Sequence, residues 1–102
     1  MTDEQMALVA KALAHPARIH IARLLSEQSE CRGHEVFSEL PLAQSTVSQH
    51  LAVMKEAGLI HAQPIGTAMV YCLVPAALDD LRQALGSIAA SAVACTSGTG
   101  GC

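Results

Sequence analysis

Four cysteines are the side chains of this 102-residue sequence with the strongest chemistry, and two of them lie close together near its end. Cys95 and Cys102 flank a short run of Thr, Ser and Gly, which lets both sulfurs reach one ion at a small entropic cost. Thiolates favour soft ions, and As(III) or Sb(III) binds two or three sulfurs, whereas a methylated arsenical needs only two. The spacing therefore predicts a metalloid site at Cys95 and Cys102.

The remaining two cysteines are weaker candidates for ligands. Cys31 precedes His34 by three residues, which offers a sulfur and a nitrogen but only half a metal site. Cys72 lies in an apolar run, and this placement is typical of a small buried hydrophobic residue. Either one is a possible source of a third sulfur, as are the partner protomer and a small thiol.

Other chemistry at these positions stays open. Asp79 and Asp80 on the last predicted helix would suit a zinc site, but that helix contains no histidine. Cys95 and Cys102 could instead form a disulfide or polysulfide bridge on oxidation, which would make the tail a redox switch. The third alternative is a tail with no chemical role.

Composition excludes several function classes. Six Lys and Arg against nine Asp and Glu give a net charge of −3, so no general cationic field attracts nucleic acid. The 2% aromatic content argues against a stacking surface for single strands. The sequence shows no signal peptide and no apolar run of about 20 residues. We therefore expect a cytoplasmic protein, in which thiols are favoured over structural disulfides. No phosphate-binding glycine loop or activated nucleophile is visible, so no enzyme is predicted.

Periodicity predicts the element order α-α-α-α-β-β-α, a mainly α winged helix-turn-helix with a small β-hairpin. A capping box at residues 2–5 begins the first helix, and Pro16 begins a second that runs to about Gln28. A short third helix is expected over residues 34–40 and a fourth over 43–57, with Gly58 as its left-handed C′ residue. Strands at 59–63 and 68–74 flank a turn at 64–67, and a last helix follows from Pro75. We expect residues 1–94 to form one domain for DNA binding and dimerisation and residues 95–102 to form a flexible tail.

The outward face of the fourth helix is polar and almost uncharged, as expected for a recognition helix that enters the major groove. Sparse charge around it predicts moderate affinity and a shallow salt dependence, with phosphate contacts from Lys11, Arg18, Arg32, Lys55 and backbone amides. The predicted DNA-binding residues are Gln44, Ser45, Thr46, Ser48, Gln49, His50 and Lys55. His50 is alternatively a packed, hydrogen-bonded residue at the edge of this face.

The first and last helices are each apolar over a wide arc, more than a chain of this size covers. This pattern predicts a homodimer formed by these two helices. The alternative is a monomer in which the two helices pack only on each other.

Three stretches together resemble the ArsR/SmtB-type winged-helix repressors: residues 11–21 with His15, Pro16 and Arg18, residues 42–51 with the sequence LAQSTVSQHL, and residues 55–60 with KEAGLI. The resemblance covers about residues 5–85. It implies a dimer that binds an operator palindrome of double-stranded DNA and releases it when an inducer, often a metal or metalloid ion, binds. Some arsenic-responsive members are similar in carrying cysteines just past the last helix. The alternatives are a thiol redox or persulfide sensor of the same fold and a winged-helix protein-interaction module.

Overall fold

A computed structural model describes residues 1–27, 31 and 33–93, apart from the side chains of His34 and Glu35. The predicted tail ligands Cys95 and Cys102, and the predicted phosphate contact Arg32, lie outside the described residues. The elements are α1 (Asp3–Ala12), α2 (Pro16–Ser26), a 3-10 helix (His34–Phe37), α3 (Gln44–Glu56), β1 (Ile60–Ile65), β2 (Ala68–Leu73) and α4 (Pro75–Ser91).

Side chains cap the first two helices. The Gln5 backbone N–H donates to Thr2 Oγ1 (3.1 Å) and the Thr2 N–H donates to Gln5 Oε1 (2.9 Å), which confirms the capping box. His15 caps α2 because its Nδ1 accepts from the Ala17 N–H (3.0 Å). Since Pro16 has no N–H to satisfy, it fits the first position of α2.

The predicted third helix over residues 34–40 is wrong in type and length, because the structure has only a 3-10 turn at His34–Phe37. The Val36 N–H donates to the Gly33 carbonyl (3.3 Å) and the Leu40 N–H to the Phe37 carbonyl (3.0 Å), both three residues back. Such short segments favour 3-10 bonding, and Pro41 disfavours helical geometry at Leu40. α2 likewise ends at Ser26, before the predicted end near Gln28.

A two-stranded antiparallel hairpin follows α3. Gly58 has φ +78°, which confirms the predicted left-handed residue after the helix. The strands pair from Ile60 with Leu73 to Ile65 with Ala68, so the turn contains only Gly66 and Thr67 and is tighter than predicted. Gly66 has φ +63°, which suits the first central position of a two-residue hairpin turn.

One apolar core joins all these elements. α3 buries Val47, Leu51 and Met54, and Met54 has no solvent exposure. They pack in one cluster with residues of α2 and with Leu59 and Ile60 at the start of the hairpin. The inner side of α3 is therefore fixed, and its outer side is left for solvent or a ligand.

α1 and α4 contact each other but leave apolar side chains uncovered. Leu8 is 53% exposed, Leu85 52% and Ile88 60%, whereas Leu81 on α4 is buried. Ligand or partner surfaces often carry such clusters of exposed large hydrophobic residues. None of the helices within the described ranges is long and apolar enough to cross a bilayer.

Candidate functional site

The outer face of α3 is the first candidate site. Gln44, Ser45, Ser48 and Gln49 are exposed, and Thr46 is half-buried. Their hydroxyl and amide groups can both donate and accept hydrogen bonds, as base edges and phosphates require. Because Val47 holds the opposite face in the core, the polar face has a fixed direction.

The start of α3 suits an anion. Ala43 is its N-cap and supplies no side-chain hydrogen bond, so the amides of the first turn are not satisfied by a capping side chain. The helix dipole makes this end partly positive. A backbone phosphate beside Gln44 and Ser45 would fit these amides without any charged side chain.

Residues from two distant parts of the chain meet at the middle of α3, and we call His15, Arg18 and His50 the helix junction. Arg18 Nε donates to His50 Nδ1 (3.2 Å), and Arg18 Nη1 donates to the Lys11 carbonyl (3.0 Å). The His15 and His50 rings lie 4.5 Å apart between centroids, tilted by 52°. Arg18 therefore links the end of α1 to α3 through α2.

The helix junction keeps His50 neutral. Burial lowers the pKa of His50 below its usual 6.5, and the nearby charges of His15 and Arg18 lower it further. A neutral ring with Nδ1 as acceptor carries its proton on Nε2. The structure thus makes His50 a half-buried, hydrogen-bonded residue at the edge of the face.

Positive charge is sparse around this face. Lys55 and Glu56 are the only charged side chains of Lys, Arg, Asp or Glu type between Pro41 and Pro75, and both are exposed. Two of the donor groups of Arg18 are already used inside the protein. Of the predicted phosphate contacts, Lys11 and Lys55 are exposed.

The structure joins Cys31 and Cys72, which are 41 positions apart in sequence, in a disulfide with Cα atoms 4.6 Å apart. We call this pair the sulfur junction. The expectation of thiols is wrong for this pair, and Cys72 is only half-buried, not fully packed as predicted. The reason is tertiary: the fold places Cys31 against β2, where Phe37 and Tyr71 also meet edge to face at 5.9 Å between ring centroids.

A groove of about 910 Å³ lies beside the sulfur junction. Cys31 and Cys72 form part of its wall, together with apolar side chains of α2 and the start of α4, including Leu25 and Leu78. Asp79 and Arg82 also line it. The groove therefore offers an apolar cavity next to two sulfur atoms.

No group of three or more His, Cys, Asp or Glu side chains that could hold a metal ion occurs in the described part of the chain. The carboxylate of Asp79 accepts from Arg82 Nε (2.9 Å) and Nη2 (2.7 Å) and from Gln83 Nε2 (2.8 Å). These bonds lower the pKa of Asp79 and occupy its oxygens. A zinc site at Asp79 and Asp80 thus gains no support.

Sequence reasoning missed both junctions. His15 and Arg18 belong to the motif at residues 11–21, and His50 belongs to the motif at residues 42–51. Nothing in either motif predicts that these side chains contact each other. The sulfur junction gave no signal, because Cys31 and Cys72 belong to elements with no fixed relation in sequence.

Comparisons with known proteins agree with this geometry. The family model described as "Bacterial regulatory protein, arsR family" matches residues 15–62. The HTH-type transcriptional regulator Rv0081 of Mycobacterium tuberculosis is 39% identical over 71 residues, which are 70% of this chain and 62% of the relative. The biofilm growth-associated repressor of Agrobacterium fabrum is 34% identical over 84 residues, 82% of this chain and 71% of that protein.

A solved structure shows the same fold. The homodimeric winged helix-turn-helix domain of Mb0332 from Mycobacterium bovis, determined by NMR, superposes with a TM-score of 0.64 at 31% identity. The match covers 88% of this chain and 87% of that domain. The chain spans less than two thirds of the length of Rv0081. The winged helix-turn-helix prediction is confirmed, and these relatives are regulators, in agreement with the prediction of a protein that is not an enzyme.

Proposed function

Because the chain belongs to the arsR family of bacterial regulatory proteins, we propose that it is a transcriptional repressor that binds operator DNA. One observation carries this proposal: α3 has its apolar side in the core and a continuous polar side exposed. A helix held in this way can enter the major groove without rearrangement. The exposed residues Gln44, Ser45, Ser48 and Gln49 contact bases and phosphates, with Thr46 beside them and Lys55 at the far end.

His50 has a different part in this proposal. Its Nδ1 already accepts from Arg18, so its main contribution is to hold α3 at a set angle to α1 and α2. Its Nε2 proton remains the group with which it would contact DNA.

The repressor acts as a homodimer in our proposal. Leu8, Leu85 and Ile88 are exposed on α1 and α4, and the similar Mb0332 domain is homodimeric. A two-fold axis through these helices would present two copies of α3 to half-sites about 34 Å apart.

An assembly measurement tests the dimer. Ile88→Glu places a charge in the apolar face and should convert the dimer to monomer in analytical ultracentrifugation. Gln83→Glu, an exposed polar position on the same helix, is the control. A dimer that survives Ile88→Glu together with Leu85→Glu would contradict the α1 and α4 interface.

DNA binding is tested in a mobility-shift assay on genomic DNA fragments that the protein has first retained in a binding selection. Gln49→Ala should weaken specific binding about 5- to 150-fold, since one base contact supplies about 1–3 kcal/mol. Gln83→Ala on α4 is the matched control and should bind normally. Failure of the unmodified protein to bind DNA even at low salt would favour the protein-interaction module instead.

We propose that a thiophilic trivalent metalloid, As(III), Sb(III) or methylarsenite, releases the repressor from DNA by binding Cys95 and Cys102. The argument is chemical: two soft sulfurs on a Gly-rich linker can close on one ion, and Cys31 or Cys72, once their disulfide is reduced, would supply any third sulfur. No harder nitrogen and oxygen cluster competes for a metal in the described ranges.

The tail cysteines follow α4 within a few residues in sequence, which suggests how the signal reaches DNA. Metalloid capture would bring Cys95 and Cys102 together and shift α4 at the proposed dimer interface. This shift changes the separation of the two α3 helices, and a coupling free energy of about 1–3 kcal/mol suffices for a useful switch.

Titration of the DNA complex with arsenite or antimonite tests this role of the tail. The unmodified protein should dissociate, and the Cys95→Ser/Cys102→Ser variant should stay bound. Normal release of that variant by As(III) would contradict the tail as sensor, and release by zinc alone would contradict the metalloid.

A thiol redox response is the second candidate, and the Cys31–Cys72 disulfide favours it. Each disulfide forms as two thiols give two electrons and two protons to an oxidant such as a polysulfide or hydroperoxide. Oxidation that releases DNA from the Cys95→Ser/Cys102→Ser variant, but not from Cys31→Ser/Cys72→Ser, would establish this candidate in place of metalloid sensing.

A further inference from the structure

We infer that the sulfur junction, in its dithiol form, is a second arsenical site, selective for trivalent arsenicals that carry one organic group and two exchangeable hydroxyls. This inference takes only the class of ligand, trivalent arsenicals, from the proposed function, since Cys31 and Cys72 form a site separate from the tail. The observation behind it is a pair of sulfurs on the wall of an apolar groove.

The two sulfurs are close enough to share one arsenic atom. The Cα atoms of Cys31 and Cys72 lie 4.6 Å apart, near the short end of the range over which two cysteines can bond directly. Because arsenic between them lengthens the bridge, small rotations of the side chains are enough to admit it. The fold thus holds both ligands in place before binding, which reduces the entropy lost on chelation.

The number of ligands decides which ion fits. Structural zinc takes four protein ligands, and inorganic arsenite can take three sulfurs. No third His, Cys, Asp or Glu completes such a group with Cys31 and Cys72 in the described residues. A monosubstituted arsenical has only two positions to exchange, so a pair of cysteines satisfies it completely.

The groove supplies a place for the organic group. Leu25, Tyr71 and Leu78 line it beside the sulfurs, and its volume of about 910 Å³ exceeds what a methyl or phenyl group needs. Burying that apolar group removes it from water and adds about 25 cal/mol per Å² to binding. Inorganic arsenite has no group to place there.

A thiol reductant first gives two electrons and two protons to the Cys31–Cys72 disulfide, which frees both thiols and leaves the reductant as its own disulfide. The binding step that follows involves no change of oxidation state. Each thiol proton leaves with one hydroxide of R–As(OH)₂ as water, one As–O bond breaks and one As–S bond forms. Two such exchanges give R–As(S-Cys)₂ and two waters, and arsenic stays trivalent. Cys31 is exposed and Cys72 half-buried, so the first exchange occurs at Cys31 and the second closes the chelate.

Two variants with two cysteines each form a matched pair for the test. Cys95→Ser/Cys102→Ser keeps only the sulfur junction, and Cys31→Ser/Cys72→Ser keeps only the tail pair. Both full-length proteins are reduced with a phosphine, because a thiol reductant would compete for arsenic. They are then mixed with phenylarsine oxide, and bound arsenic and free thiols are counted by intact mass and thiol titration.

We expect Cys95→Ser/Cys102→Ser to gain one phenylarsenic group and to lose both thiols. It should bind the phenyl compound at least about tenfold more tightly than arsenite, because only the phenyl compound fills the groove and needs no third sulfur. No uptake by this variant, or equal affinity for both compounds, would overturn the inference. Prior oxidation with diamide should block uptake, and uptake after oxidation would also overturn it.

Single variants check that the two sulfurs act together. In the Cys95→Ser/Cys102→Ser background, Cys31→Ser or Cys72→Ser should weaken binding about a hundredfold, because the second bond becomes intermolecular. Circular dichroism checks folding, and Cys72→Ala replaces Cys72→Ser if serine disturbs the strand. Undiminished binding by a folded single variant would contradict the chelate. In Cys31→Ser/Cys72→Ser only the tail cysteines remain, so release of DNA from this variant by an arsenical tests the tail site alone. Failure of the tail site is therefore distinguishable from failure of the sulfur junction.

Discussion

The helix junction and the sulfur junction both tie distant segments of the chain together, but they do so with different chemistry. At the helix junction, Arg18 donates to the neutral ring of His50 and to the Lys11 carbonyl. At the sulfur junction, a covalent bond joins Cys31 to β2. The first is made of groups that hold α3 under ordinary conditions, and the second is made of groups that a reductant, oxidant or metalloid can change.

This difference separates a junction that positions α3 from one for which we propose a sensing role. The helix junction lies against α3, whereas the sulfur junction lies against β2 and the groove beside α4. A chemical event at the sulfurs therefore acts on the hairpin and on α4 first. It reaches α3 only through the shared core and, in the dimer we propose, through the interface of α1 and α4.

Reduction of the sulfur junction should have the largest effect on stability. Its cysteines are 41 positions apart, and release of a loop of this length lowers the free energy of unfolding by about 4 kcal/mol in the chain-entropy model. Thermal unfolding with and without a phosphine measures this change. Cys31→Ser/Cys72→Ser should be insensitive to the phosphine, and an unchanged midpoint for the unmodified protein would contradict the prediction.

Removal of Arg18 should have an intermediate effect. Arg18→Ala leaves the half-buried His50 Nδ1 and the Lys11 carbonyl without this donor, which costs about 1–3 kcal/mol in urea unfolding. Arg18→Lys should recover only part of the loss, because one ammonium does not reproduce the two-donor geometry. Arg23→Ala, an exposed arginine of the same helix, is the control. Equal losses for Arg18→Ala and Arg23→Ala would show that the helix junction contributes nothing specific.

Acidification should have the smallest effect, and only the helix junction should respond. The pKa of His50 is below 6.5 in the folded protein, so at a pH between its folded and unfolded pKa the unfolded chain binds more protons. The contribution of neutral His50 to the free energy of unfolding is complete above pH 6.5 and is lost as the pH falls through the pKa of the folded protein. His50→Gln keeps an acceptor for Arg18 but does not titrate, so it should reduce the loss of stability between about pH 7 and pH 5. Identical pH profiles for His50→Gln and the unmodified protein would contradict this assignment.

Local patterns predicted most of the elements. The capping box at Thr2 and Gln5, the apolar spacing of Val47, Leu51 and Met54, and the left-handed Gly58 all depend on interactions within a few residues, and all were confirmed. The 3-10 turn was missed because its apolar residues also fit a short α-helix. For the candidate site, the exposed polar residues of α3 follow from helical periodicity alone.

By itself, the sequence determined which side of α3 faces the core and which stays polar, since the spacing of apolar residues is local information. Only the tertiary structure decided that Arg18 would reach His50 and that Cys31 would lie beside Cys72. Those contacts join positions 32 and 41 residues apart, and their geometry is set by how α2, α3 and the hairpin share one core. Side-chain chemistry can be read from a sequence, but the distance between two reactive groups depends on the packing of every element that lies between them.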